Sequence, residues 1–146
     1  MIDSKLIDAF SAPEAADRRG AAEDISECGD PGAAEVLVSQ LRKEESRPVK
    51  EAILRGLSHI WTSNPVEAMI ELLKDDDPFV RAEAAEMLQR RAGDVIEGLN
   101  RLVRSDDKDL RKFAVDIMRE ATIGAPDALY LAALKDEDIN VVITTI

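Results

Sequence analysis

The chain has 146 residues, 45% hydrophobic and 34% charged, with 19 Lys plus Arg against 30 Asp plus Glu and a formal charge of −11. That length allows one domain or one short array of repeats, and the apolar share excludes wholesale disorder. The acidic balance disfavours nucleic acid and anionic membrane surfaces as partners, because phosphate would meet repulsion over most of the protein.

The aromatic residues Phe10, Trp61, Phe79, Phe113 and Tyr130 are few for a β-sandwich or barrel, whereas the dominant Ala, Leu, Glu, Asp and Arg mostly form helix well. The longest uninterrupted apolar run, Ala128 to Leu134, is seven residues. A membrane span needs roughly 20. The opening Met1-Ile2-Asp3-Ser4-Lys5 shows no charged stretch followed by an apolar segment, so no signal peptide is read. The single cysteine, Cys28, fits a reducing compartment, and a cytoplasmic location is expected. Arg90-Arg91 and Arg101 with Arg104 are the nearest approach to a basic patch, and charges solvating helix faces are the simpler account of them.

Helical patterns come in pairs along the chain. First helices are predicted at 3–10, 31–43, 65–74, 94–104 and 126–135, with apolar residues such as Ile96, Leu99, Leu102 and Val103 at three- and four-residue spacing. Second helices are predicted at 14–28, 48–61, 78–91, 108–121 and 139–146. Asp30-Pro31, Asn64-Pro65 and Asp77-Pro78 each place an acceptor at the N-cap and proline at the first helical position. Gly29, Gly93 and Gly124 follow helix ends, where a left-handed residue is wanted.

The pairs repeat. Pro48-Val49-Lys50-Glu51-Ala52-Ile53-Leu54, Phe79-Val80-Arg81-Ala82-Glu83-Ala84-Ala85 and Asp109-Leu110-Arg111-Lys112-Phe113-Ala114-Val115 align, and Arg18 heads a weaker first copy. The key positions 18, 50, 81, 111 and 142 lie 32, 31, 30 and 31 residues apart. The repeats are thus about 1–29, 30–63, 64–92, 93–124 and 125–146 of a single domain spanning 1–146. The register stops inside the fifth second helix, at Val141 to Ile146, which suggests a fragment of a longer protein, with self-association through the apolar C-terminal end or a frayed natural terminus as the alternatives.

Asp75-Asp76-Asp77-Pro78-Phe79-Val80-Arg81, followed by Ala84 and Leu88, resembles the HEAT-repeat family, and within it the short bilin-lyase-type (PBS lyase) HEAT-like repeats. The resemblance covers essentially the whole chain, strongest in the third and fourth repeats. It implies an all-α fold, a right-handed α-solenoid of about four and a half helical pairs, with second helices on the concave face. It also implies a ladder between turn acids and helix cations of neighbouring repeats. Asp75 and Arg81 fit that spacing, and Glu44 and Lys50 substitute conservatively, while Ser105 replaces an acid and Val142 a cation, so a partial ladder is expected.

The inventory for catalysis is thin. His59 is the only histidine, which leaves no His-based metal cluster, and its slot is shared with Glu27, Arg90 and Glu120, an outward position. Cys28 shares its slot with Ile60 and Ala121, which predicts burial. The clusters Asp75-Asp76-Asp77, Asp106-Asp107-Asp109 and Asp136-Glu137-Asp138 lack the alternating ligands and central glycine of a calcium loop, and all precede second helices, where carboxylates cap N–H groups. No metal and no cofactor are expected.

Surface recognition remains. One outward row of second-helix positions holds Glu23, Arg55, Glu86 and Asp116, and another holds Glu27, His59, Arg90 and Glu120. Phe79 and Phe113 lie on or near that side, either as exposed anchors or tucked between repeats, and Trp61 reads as junction packing. The sequence therefore predicts a non-catalytic protein-interaction module or scaffold, binding an unidentified protein partner through Arg55, His59, Phe79, Glu83, Glu86, Arg90, Phe113, Asp116 and Glu120. The alternative implied by the resemblance is a lyase-type subunit handling a tetrapyrrole chromophore, which would need cations for two propionates. Recognition of DNA lesions is a third reading, opposed by the charge.

Overall fold

A computed structural model describes residues 2–60, 66–91, 95–120 and 127–146. The predictions at Trp61, Asn64-Pro65, Gly93, Ala121 and Gly124 lie outside the described residues. The chain forms two compact units, Met1–Ala68 and Met69–Ile146, and among the described residues all regular structure is helical.

The first unit contains α1 (Ser4–Asp8), a 3-10 turn (Ala9–Ser11), α2 (Ala15–Glu27), α3 (Ala33–Leu41) and α4 (Arg47–His59). The second helices α2 and α4 lie side by side, with α3 packed against both. Ile25, Leu37, Leu41, Ile53 and Leu57 are fully buried between them. These are the positions at which the 3.6-residue period puts apolar side chains on one face. Gly56 lets α4 approach α2 closely, since a Cβ there would stand 2.9 Å from the Cβ of Ser26.

The helix α5 (Val66–Leu72) crosses the boundary and leads into the second unit, which continues with α6 (Pro78–Arg90), α7 (Ile96–Leu102), α8 (Lys108–Glu120), α9 (Asp127–Ala133) and α10 (Ile139–Thr145). Here α8 is the central element, touching α6, α7, α9 and α10. Its apolar stripe, Leu110, Ala114, Ile117 and Met118, is buried. Consecutive second helices packing side by side, α2 on α4 in one unit and α6, α8 and α10 in the other, are the signature of an α-solenoid. Met69, Leu72, Leu88 and Leu99 complete this core, while Ile96, the first apolar residue of the predicted stripe on α7, is 37% exposed.

Side-chain capping fixes several of the boundaries. Asp77 and Asp138 accept from the N–H groups of Phe79 (2.9 Å) and Asn140 (2.8 Å), with Pro78 opening α6 as predicted. Gly29 has φ 68°, the left-handed conformation expected after α2. First helices are shorter than predicted because their last turns tighten into i→i−3 bonds, such as Lys43 N–H to Gln40 O at 2.9 Å.

Two expectations are corrected. The helix α3 starts at Ala33 with Gly32 as its N-cap, because Asp30 spends its carboxylate on the Gly32 N–H (2.8 Å) in a turn that precedes the helix. Cys28 is exposed, not buried. It is the C-cap of α2, and the left-handed Gly29 beside it breaks the helix before that slot can turn inward.

Candidate functional site

The turns between first and second helices share one device. Arg18, in the first turn of α2, donates from Nη1 to the carbonyls of Ala12 (2.9 Å) and Pro13 (2.8 Å), drawing its own turn closed. Its Nε and Nη2 then donate to both carboxylate oxygens of Glu44, each at 2.9 Å, in the turn of the next repeat. Glu44 is only 2% exposed at its side chain and also accepts from the Ser46 N–H and the Gln40 amide. Hydrogen bonding from Arg18, outweighing the cost of burial, holds the Glu44 carboxyl down at about 2.

The same device recurs in the second unit. Arg111 donates from Nη1 to the carbonyls of Ser105 (2.9 Å) and Asp106 (3.1 Å), and from Nε and Nη2 to Asp136 at 2.7 and 3.1 Å. Its side chain is 9% exposed and that of Asp136 6%, and the arginine lowers the Asp136 pKa. Arg81 repeats half of it. Its Nη1 donates to the carbonyls of Asp75 (2.7 Å) and Asp76 (3.0 Å). The position of the following acid is Ser105, whose Oγ accepts from the Asp107 N–H at 3.2 Å, and no carboxylate meets the Arg81 fork among the described residues. The ladder is therefore partial, as expected from Ser105. What the sequence reading missed is that each arginine also clamps two carbonyls of its own turn.

Beside Arg81 lies a groove of about 500 Å³ contained within the second unit, with Leu73, Leu110 and Phe113 as its apolar walls and Lys74, Lys112 and Asp116 at its edges. Of the predicted surface residues, the structure brings Phe113 and Asp116 together here. Phe113 is half-buried and lines the groove. Phe79 and Glu83, on α6, are likewise half-buried. Glu86 and Arg90 are exposed and pair with each other one helical turn apart. Glu120 is exposed beside Arg119 (3.5 Å), and Asp116 approaches Lys112 at 3.9 Å. Arg55 and His59 stand exposed on α4 in the first unit. The groove cations Lys74 and Lys112 were not among the predicted residues, and the only sequence signal pointing to that region was the departure at Ser105.

Among the described residues no three His, Cys, Asp or Glu side chains are grouped to hold a metal, and no helix is long and apolar enough to cross a membrane. No curated protein matches the sequence. A family model for HEAT repeats matches residues 4–89 and again residues 34–119, overlapping along the helical pairs described above. The chain belongs to the HEAT-repeat family.

Proposed function

We propose that the protein is a non-catalytic interaction module that binds a partner protein through exposed side chains of its second helices, on α4 in the first unit and on α6 and α8 in the second; the family resemblance implies that second helices are the binding side. The observation that carries this reading is the combination of exposed charged side chains on helices whose turns are fixed by arginine clamps. Surface presented on pre-ordered helices costs less conformational entropy on binding than a loop does. Arg55, His59, Glu86, Arg90 and Glu120 are exposed and would supply polar contacts, while Phe79, Glu83, Phe113 and Asp116 are half-buried. The net charge of −11 favours a basic or polar partner surface and opposes nucleic acid.

The test is affinity capture from the source lysate with wild type beside an Arg55/His59/Arg90 triple alanine variant. A protein retained by wild type and lost by the variant supports the assignment. Retention by both moves the site off Arg55, His59 and Arg90. The finer relationship to bilin-lyase-type repeats rests on the Asp75–Leu88 stretch, and incubation with a bilin tests it: a shift in visible absorbance on mixing favours chromophore handling over the scaffold reading.

A further inference from the structure

The geometry points to Arg81 as a receptor for a carboxylate from outside the chain: an Asp or Glu side chain of the partner protein, flanked by basic residues, docking in the groove beside α6 and α8. This deepens the reading of the chain as a protein-binding module and rests on it.

Three arginines occupy equivalent places at the start of α2, α6 and α8, and all three use Nη1 in the same way, on two carbonyls of the preceding turn. That shared anchorage fixes the plane of the guanidinium. In Arg18 and Arg111 the remaining edge, Nε with Nη2, grips a carboxylate two oxygens at a time. In Arg81 that edge holds no carboxylate among the described residues, because the register position of the acid is Ser105. A planar fork held in place by its other nitrogen is selective for bidentate oxyanions, and the side chain is half-buried, where such a pair is stronger than at the open surface. The groove of about 500 Å³ lined by Arg81 provides the room, and Phe113 provides an apolar wall for the stem of the incoming side chain.

The groove also dictates what accompanies the carboxylate. Its three cations, Lys74, Arg81 and Lys112, face five aspartates, so a bare anion is repelled overall. Asp75 and Asp107 are committed to capping the N–H groups of Asp77 and Asp109. Asp76 and Asp109 are exposed, and their carboxylates make no hydrogen bond among the described residues, which suits them to basic residues on either side of the docked acid.

The test titrates the protein with acetyl-Lys-Glu-Lys-amide and its Gln counterpart, reading the Arg81 Nε–H resonance by NMR. The expected result is a saturable shift with the Glu peptide and binding weaker by about tenfold or more with the Gln peptide, the worth of one charge-assisted contact. Ser105→Asp, which supplies the missing internal carboxylate, is expected to melt at or above the wild-type temperature and to lose the Glu-peptide response by a similar factor. Ser105→Asn, of the same size and uncharged, keeps it. If Ser105→Asp does not fold, Arg81→Lys replaces it, retaining a cation without the fork. Equal binding of the two peptides, an unchanged response in Ser105→Asp or in Arg81→Lys, or no saturable shift in wild type overturns the inference. None of these outcomes touches Arg55, His59 or Arg90, so failure here is distinct from failure of the capture experiment.

Discussion

Arg111 and Asp136 are joined by two hydrogen bonds, 2.7 and 3.1 Å long, across 25 residues of sequence, and both side chains are less than a tenth exposed. The same guanidinium also fastens the carbonyls of Ser105 and Asp106. One side chain therefore ties two turns together, and its loss is felt at three acceptors.

Arg111→Met is expected to destabilise the protein by about 3–5 kcal/mol, because it leaves the Asp136 carboxylate buried without its counter-ion. The double variant Arg111→Met/Asp136→Leu should recover much of that loss. Urea denaturation of the two variants and wild type measures both quantities, and equal midpoints for the single variant and wild type would rule the clamp out as a structural element.

Acid should unfold the protein through the same pairs. Glu44 is held at about 2 against an ordinary value of 4.5, and Asp136 is lowered as well. A carboxylate whose pKa is depressed in the folded state gives stability that is complete above its unfolded pKa. That stability is lost as pH falls through the interval between the two values. The expected contribution of Glu44 is at most ~3 kcal/mol, fading from about pH 4.5 towards pH 2. Thermal melts followed by circular dichroism should show the midpoint dropping across that window in wild type and a shallower drop in Glu44→Gln, which starts from lower stability.

Gly56 is required by the approach of α4 to α2. Gly56→Ala places a methyl 2.9 Å from the Ser26 Cβ, a backbone-anchored atom that cannot swing away. The expected cost is about 1–3 kcal/mol of overpacking, larger than the helix-propensity gain of up to ~1 kcal/mol. Gly20, where an added Cβ meets nothing within 4 Å, is the control, and Gly20→Ala should be stabilising in the same denaturation assay.

Cys28 should react with Ellman's reagent in the native state at nearly the rate seen in denaturant, because it is exposed at the C-cap of α2. Slow, protected reaction would restore the burial that its repeat position suggested.

The helical order was readable because each repeat carries its own period, and some carry a proline or a capping acid at the helix start. Asp77-Pro78 opened α6 as foreseen, and the tail Val141 to Thr145, β-branched as it is, joined α10 because the register outranked local propensity. Cys28 and Asp30 were misread for the converse reason. Register gives the average slot, and Gly29 ends α2 early enough to displace both. The outward placement of Arg55, His59, Glu86 and Arg90 followed from helical spacing alone. The groove did not, since it depends on which side chains from two repeats converge at one height, and a one-dimensional period carries no such depth.

The clamp has a direction. In both complete examples the guanidinium belongs to the earlier repeat and the carboxylate to the later one, and neither pair is reversed. Where the clamp is complete, the earlier pair thus carries the plug and the later one the socket, which makes those joints head-to-tail in their chemistry. Gene duplication or excision of one whole pair therefore leaves matching ends only where the new joint sets an arginine before an acid, and a joint that brings Ser105 to the socket position leaves the fork without its carboxylate.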